Sequence, residues 1–593
     1  MARNPSVQEF IEDNGPLLAA EERLLEACRV GGVCRLGTRP EVYRADREVR
    51  AEFLKVLILG GTKDCDLDPS RVWLEGAWIS GQLNLSYRRA VGQIVLDNCR
   101  FVAEPRIEQA RFDSLSLDGS HLPGLWAQGV QAKGDLFLRG ITATGTVAVN
   151  GAQIGGQLDC TGATLDGAGG KALHAQGVTC GQDLFLSGIT ATGTVNVDGA
   201  QFGGQVDCTG ATLNGAGGRA LFAQALRAEQ GLVWRDVTVT KGQVDLIAAH
   251  VSNLVDDLES WPVDRENRPD GGNLILDGFT YDRIVGPLGA AERIAWLRNG
   301  TKWDGEFYPQ PYRQLARVLW NMGHDRAARQ VRMALAEDMA RHERFLDRHS
   351  RRVLAALRKF SARPGPRRRE RVAKTVSELP GHRAEVATTT VDKLLALHGQ
   401  VDPNHVPPGP GVQPISETTR RYAQRQFRSD LAWQELGLRA RIARSWVIDH
   451  LSNWVIGYGF APWRSIYWLV LLMSIGATMA ALTWKEGSFA PNSAPILVSQ
   501  GWHDALSADN PAQVWSDDEF GGKDWDSFSA LAYGADVVIP IVPFGQTDAW
   551  APSTRGPWGT GLWWGRWVLT ALGWIVTALG AAAVTGLIQR DKD

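Results

Sequence analysis

The chain repeats itself. The segment DLFLRGITATGTVAVNGAQIGGQLDCTGATLDGAGG, starting at Asp135, returns 48 residues later as DLFLSGITATGTVNVDGAQFGGQVDCTGATLNGAGG from Asp183. Cys160 maps onto Cys208. Self-similarity at a fixed period is the signature of a solenoid, in which a thin unit gains a core only by stacking on its neighbours. The texture around the copy agrees. From about Val72 to Ala249, short apolar pairs recur: Leu83/Leu85, Ile94/Leu96, Leu115/Leu117, Leu136/Leu138, Val147/Val149 and Leu158/Cys160. Alternate side chains of a strand point to opposite faces, so each pair marks one inward face. Gly140, Gly145, Gly151, Gly156, Gly162 and Gly167 follow at steps of 5, 6, 5, 6 and 5 and mark the corners. The expected unit is a β-helix coil of about 20–22 residues. It resembles pentapeptide-repeat solenoids, from whose strict five the 5/6 alternation departs.

Either side of this block the period changes. In residues 1–68, Leu24, Leu25, Val49, Phe53, Leu54, Leu57 and Ile58 fall at helical spacings, with Val49, Phe53 and Leu57 on one predicted face before Gly60-Gly61. After the solenoid (69–250), the stretch 251–360 reads as a helical hairpin cap. Tyr312 to Met322 forms its first helix, Gly323-His324 the turn, Asp325 the N-cap, and a second helix runs to about Phe345. A cap would cover strand edges that otherwise invite aggregation. Residues 361–430 read as a linker containing RPGPRRRERVAK and DPNHVPPGPGVQP, because proline at that density opposes packed helix. Its basic run is Arg363, Arg367, Arg368, Arg369, Arg371 and Lys374. This reads as a solvated stretch, or as one that meets anionic lipid.

The region 431–593 carries two uncharged apolar stretches. Ile466 to Trp484 holds 19 residues, and Val568 to Leu587 forms the second, giving spans of about 466–484 and 567–588. A bilayer core requires about 20 apolar residues per helix. Trp563, Trp564 and Trp567 precede the second stretch, as an interfacial belt would. Arg439, Arg441, Arg444 and Arg464 precede the first, and Arg590 and Lys592 follow the second. The loop between, Lys485 to Gly561, has ten acidic residues against three basic. Because Lys and Arg stay on the cytoplasmic side, both termini are expected in the cytosol. Arg566 is the exception. MARNPSVQEF shows no signal-peptide pattern, and the location expected is a bacterial inner membrane. Within the loop, Trp525 to Val538 is expected to be helical and interfacial or partly re-entrant, ending at VVIPIVPFGQ. The fold class expected is mainly β: a right-handed β-helix, pentapeptide-repeat-like, with a helical cap and a C-terminal two-helix transmembrane region.

Chemistry is harder to find. The seven cysteines (Cys28, Cys34, Cys65, Cys99, Cys160, Cys180, Cys208) are odd in number and form no C-x-x-C, so reduced, buried thiols are expected. Net charge of -2 gives no reason to expect nucleic acid. GAGGKA, Gly167 to Ala172, lacks the flanking glycine and hydroxyl of a phosphate loop, since Leu165 and Ala172 occupy those places. The second copy has Arg219 for Lys171. Both read as solenoid loops. His324, His342 and His349 lie near acidic residues and read as surface histidines. Asp159 and Asp207, beside Cys160 and Cys208, read as an alternation with Cys inward and Asp outward, or else as a binding stripe. GYG at Gly457 to Gly459 precedes the first span, where no pore filter would sit. No catalytic residue, cofactor site or metal site emerges.

Several stretches resemble a family of bacterial membrane proteins labelled membrane-associated oxidoreductases. They are FLKVLILGG (Phe53 to Gly61), LEGAWISGQLNL (Leu74 to Leu85), IGGQLDCTGA (Ile154 to Ala163) and LDGFTYDRI (Leu276 to Ile284). YPQPYRQLARVLWNMGHDRAARQV (Tyr308 to Val331), VIGYGFAPWRS (Val455 to Ser465) and ALAYGADVVIPIVPFGQTDAW (Ala530 to Trp550) complete the set. The resemblance implies redox activity but brings no catalytic residue with it. The function expected from the residues is a membrane-tethered cytosolic binding or scaffold module. The partners expected are the bilayer, copies of the same chain and a protein on a solenoid face. The alternatives are an oligomeric two-helix pore governed by the cytosolic domain, and the oxidoreductase.

Overall fold

The inward apolar pairs stack into a β-solenoid in the computed structural model, which describes residues 6–60, 71–90, 92–263, 272–303, 306–362, 366–377, 417–517, 522–539 and 541–585. Two parallel sheets, of 16 and 12 strands among the described residues, run along it. Val72, Ile94, Leu115, Leu136, Leu158, Leu184, Val206, Leu232 and Leu254 pair strand to strand in one inward row, every one of them buried. Each such side chain contributes about 1.5–3 kcal/mol by leaving water, and in a unit this thin only the coils above and below supply the cover.

Coil length is not uniform. Leu136 pairs with Leu158, 22 residues on, but Leu158 pairs with Leu184, 26 on. The next two steps repeat 22 and 26. The 48-residue copy is therefore two coils. The longer coil of each pair carries GAGG, Gly167–Gly170 or Gly215–Gly218, as a bulge where the pairing register shifts. Ala168 and Ala216 there adopt positive φ. These segments are solenoid loops.

The solenoid is longer at both ends than its sequence texture. Cys34–Arg35 pairs in parallel with Leu74 and Glu75, and Glu48–Arg50 with Trp78–Ser80, so the first coil is laid down inside the N-terminal segment. Val49 consequently sits on a strand, paired with Ile79, and not on the helix of Phe53 and Leu57. Three helices flank this coil: α1 (Val7–Asn14), α2 (Ala19–Arg29) and α3 (Ala51–Ile58). Glu21 of α2, fully buried, accepts from Arg50 Nε at 2.9 Å and Nη2 at 2.7 Å. At the far end, parallel pairing continues past residue 250 to Thr280–Val285.

That last edge is closed by side chains. Helices α4 (Ala290–Gly300) and α5 (Gln310–Asn321) follow, with a two-strand hairpin between them. On α5, Gln310 and Gln314 stand one turn apart and serve the edge backbone as a further strand would. Gly278 N donates to Gln310 Oε1 (3.0 Å), Gln310 Nε2 donates to Phe279 O (3.3 Å), and Gln314 Nε2 donates to Tyr281 O (2.5 Å). Bonded edges do not template aggregation.

Helix α6 (Asp325–Ala362) runs well beyond Phe345, with Asp325 as its first residue. The basic run falls on α7 (Pro366–Ser377), a helix where a linker was expected; Arg363 and residues 378–416 lie outside the described residues. Two compact units divide the chain, residues 1–335 with 365–409, and 336–364 with 410–593. In the second unit, α8 (Glu417–Leu451) pairs with the later part of α6 through Arg358–Glu435 (2.9 Å) and Arg344–Asp449. The apolar helices are α9 (Trp463–Lys485) and α11 (Pro557–Val584), both long and apolar enough to cross a membrane. Between them, α10 (Ala530–Val538) is shorter than the helix expected from Trp525. Helical structure on this scale makes the chain mixed α/β and not mainly β.

The described cysteines, Cys28, Cys34, Cys99, Cys160, Cys180 and Cys208, are free and buried; Cys65 lies outside the described residues. Burial is the leading cause that pushes the thiols of Cys28, Cys99 and Cys180 up to about 12 and raises those of Cys160 and Cys208 as well. The thiolate is the reactive form. Titration of the native chain at pH 8 with an aromatic disulfide reagent is expected to find at most Cys65 reacting promptly, and all seven cysteines after denaturation.

Candidate ligand groove on the solenoid

Residues on the 12-stranded sheet come into columns because the coils stack in parallel. His174 pairs with Asn196, Asn196 with Phe222, and Phe222 with Asp245. A neighbouring column brings Lys171 beside Thr194, and Arg219 beside Gln243. Neighbouring strands lie about 4.8 Å apart, so successive polar groups are offered at that spacing. The columns floor a groove of 1480 Å3. The loop at Gly217–Gly218 forms one wall and the segment Glu259–Val263 another.

The groove is rigidly held. Trp261 stacks on Trp234 with centroids 5.1 Å apart, and its Nε1 donates to Asp256 Oδ2 at 2.8 Å. Trp234 Nε1 donates to Ser260 O (3.1 Å), and Val237 N donates to Ser260 Oγ (2.9 Å). On the floor, Asp245 is fully buried and accepts from Gln224 Nε2 at 2.9 Å, with Arg219 Nε 3.1 Å away. Arg219 also lies over the Phe222 ring at 4.1 Å. Lys171 Nζ is 2.8 Å from His174 Nε2. Burial, and then the Lys171 charge, hold the His174 imidazole below its ordinary value. The neutral ring then accepts from the ammonium. Lys171, Arg219 and Lys241 bring three cations to the groove; among the described residues the carboxylates beside them are Glu259 in the lining and the buried Asp245, 3.1 Å from Arg219 Nε.

The other sheet carries a smaller groove of 870 Å3, lined by Arg89, Arg111, Gln131, Gln153 and Thr179 among others. Those five form one outward column, strand by strand. None of these columns is legible in the sequence. Coils of unequal length put Lys171 and Thr194, or Arg219 and Gln243, at separations that no fixed period relates.

The residues singled out in the sequence fall as follows. Cys160 and Cys208 point inward. Asp159 and Asp207 each close their own corner, accepting from Thr161 N and Thr209 N at 2.9 Å, and Asp159 is buried where an outward side chain was expected. His324 belongs to the α5–α6 turn and His342 and His349 to α6, and none of the three lines the groove. Gly457–Gly459 is a 3-10 turn in which Tyr458 Oη donates to Asp449 Oδ1 at 2.6 Å. Arg566 lies within α11, its guanidinium 5.7 and 5.4 Å from the rings of Trp563 and Trp567. No group of three His, Cys, Asp or Glu among the described residues is placed to hold a metal. No family model, curated protein or solved structure matches the chain, and the oxidoreductase resemblance finds no support there.

Proposed function

We propose that this chain is a membrane-anchored binding protein whose solenoid groove takes an extended segment of another protein on the cytosolic side. The observation that carries the reading is the set of in-register columns flooring a wall-bounded groove. Lys171, Arg219, Lys241 and Gln243 present amide and cationic donors to successive backbone carbonyls and acidic side chains of an extended partner. Repeating exposed faces suit such recognition. We read the solenoid as right-handed, as parallel crossovers are in nearly all cases.

The anchor reading rests on exposure. Only 17% of the apolar window of α9 and 28% of that of α11 is covered inside the unit, whereas the core helix of a soluble protein is mostly buried. Uncovered apolar helices of this length are stable only against lipid or other copies. The basic flanks put both termini on the cytoplasmic side of a bacterial inner membrane. Small residues at Gly573, Gly580 and Ala583 suit close helix approach in a homo-oligomer. The alternative of an oligomeric pore is favoured by one observation, the lodging of α10 between α9 and α11.

A photo-cross-linking residue at Gln243 of the full chain in cells is expected to yield a discrete adduct, and the same residue at the exposed Tyr87 is not. Combining Lys171→Ala, Arg219→Ala and Lys241→Ala is expected to weaken the Gln243 adduct by at least about tenfold, since one hydrogen bond to a charged group contributes ~1.5–3 kcal/mol. Equal adducts at Gln243 and Tyr87, or an adduct indifferent to the triple change, would reject the groove.

A further inference from the structure

Resting on the reading that α9 and α11 span a bilayer, we infer that Ser527 to Gln546 is a re-entrant hairpin whose tip meets the lipid hydrocarbon. It is then not part of a water-exposed loop. Depth is the first argument. Gly534 of α10 is pressed against α9, where a Cβ would come within 2.5 Å of Ala477 N and 2.6 Å of Met473 O. A Cβ on Gly476 of α9 would in turn lie 3.2 Å from Gly534 Cα. On the other side, a Cβ on Gly573 of α11 would collide with Val538 O, and Thr570 Oγ1 donates to Val537 O at 2.9 Å. Gly476 and Gly573 both lie near the middle of their helices. The end of α10 therefore reaches the level at which the two spans would cross the bilayer centre. Nine helical residues cover about 13 Å, close to half of a ~30 Å hydrocarbon core.

The second argument is how the return segment treats its polar backbone. Each backbone donor outside a helix is costly in hydrocarbon, so a segment that enters it gains by carrying few of them. Of residues 539–544, Pro540 and Pro543 have no N–H to satisfy. Ile539 N donates to Ala535 O, and Phe544 N donates to Asp536 Oδ1 at 2.9 Å. Asp536 completes its own shell with Thr547 N (2.7 Å) and Thr547 Oγ1 (2.8 Å), so its carboxylate faces its own hairpin. The outward side chains are apolar: Leu531, Ile541, Val542 and Phe544 are 68, 69, 50 and 47% exposed. Helices α9 and α11 also leave apolar side chains uncovered near their middles, among them Ile475 and Leu572. The mouth is tied where an interface would lie. Ser529 N donates to Gln546 Oε1 at 2.9 Å, Gln546 Nε2 donates to Ser527 O at 3.1 Å, and Phe528 stacks on Trp484 at 4.2 Å.

Spin labels on cysteines test the depth in the full chain reconstituted into lipid nanodiscs. Positions are introduced one at a time in a Cys65→Ser background, which the absence of cysteine after Cys208 simplifies. Ile541→Cys probes the tip, with Val542→Cys as a second tip position. Ile475→Cys, in the middle of α9, reports the span, and Val498→Cys, 77% exposed, reports the loop. Collision with dissolved oxygen relative to a polar nickel complex is expected to be about tenfold greater at 541 and 542 than at 498, and close to that at 475. Tip ratios matching 498 while 475 stays oxygen-rich would overturn the hairpin and leave the anchor standing. A nickel-accessible label at 475 would overturn both.

Discussion

Replacing Arg293 by methionine is expected to cost about 3–5 kcal/mol, the price range for stranding one partner of a buried ion pair. Arg293 and Asp256 have no exposed side-chain surface. They meet through two bonds, Nη1 to Oδ2 at 2.7 Å and Nη2 to Oδ1 at 2.6 Å, while Nε donates to Pro287 O at 2.7 Å. Trp261 adds its indole N–H to the same carboxylate. Without the guanidinium, Asp256 keeps a charge served by the Trp261 indole N–H, in a site with no exposed side-chain surface. The damage would spread along a chain of contacts, since Trp261 stacks on Trp234 and also forms a wall of the groove. Urea unfolding of the full chain in detergent, followed by the near-ultraviolet dichroism of the stacked tryptophans, measures it. Asp256→Leu combined with Arg293→Met is expected to recover most of the loss, because removing both charges leaves nothing stranded. Equal losses for the single and double variants would mean that the pair contributes packing and not charge satisfaction.

Much of the solenoid was legible because its inward row has a single task. Leu136, Leu138, Val147, Val149 and Leu158 can be covered only by their equivalents one coil away, so alternation survives in the sequence even where a strand is two residues long. The ends were not legible, for a local reason. Cys34–Arg35 is too short to show a period, and Val251 and Leu254 sit three apart, a helical spacing, although both point into the core of a strand. Glycine misled in another way. Gly151 and Gly162 turn corners at positive φ, whereas Gly167–Gly170 bulges outward and lengthens its coil, and the letter is the same for both uses.

The candidate groove was illegible for a reason that follows from the coil lengths. A column on a solenoid face is a relation between coils, and it can be read from a sequence only if the coils are equal. Here 22 alternates with 26, so Thr194 and Arg219 fall outside any common period. The hairpin of the second unit was partly legible, through Pro540, Pro543 and the apolar run they interrupt. What composition could not supply was its depth, which is set by Gly476, Gly534 and Gly573.

Close backbone approach also decides the second large effect, which runs against the usual rule for glycine. Gly181→Ala is expected to destabilise the solenoid by about 3–5 kcal/mol, and Gly177→Ala by only ~1–2 kcal/mol. The conventional argument gives the opposite order. Gly177 has φ of +64, where a side chain is strained, while Gly181 has an ordinary backbone. Around Gly177, however, nothing lies within 4 Å of an added Cβ, so the cost is that of one left-handed alanine. Gly181 stands in a column with Gly155 and Gly203, each packed on the backbone of the coil before it, and a Cβ on Gly181 would collide with the carbonyl oxygen of Gly155. No rotamer relieves a clash between a Cβ and a backbone oxygen, so the coils must separate. Separation strains the bonds from Gly181 N to Ile154 O (2.9 Å), Gln182 N to Gly156 O (3.0 Å) and Gly203 N to Cys180 O (3.0 Å), each contributing about 1 kcal/mol when intact. Because each coil is covered only by its neighbours, the loss passes to both. Thermal unfolding of the two variants, with exchange of the Cys180 thiol toward reagent as a local readout, gives the order directly. Greater damage from Gly177→Ala would show that backbone conformation, and not contact between coils, sets the glycine positions of this solenoid.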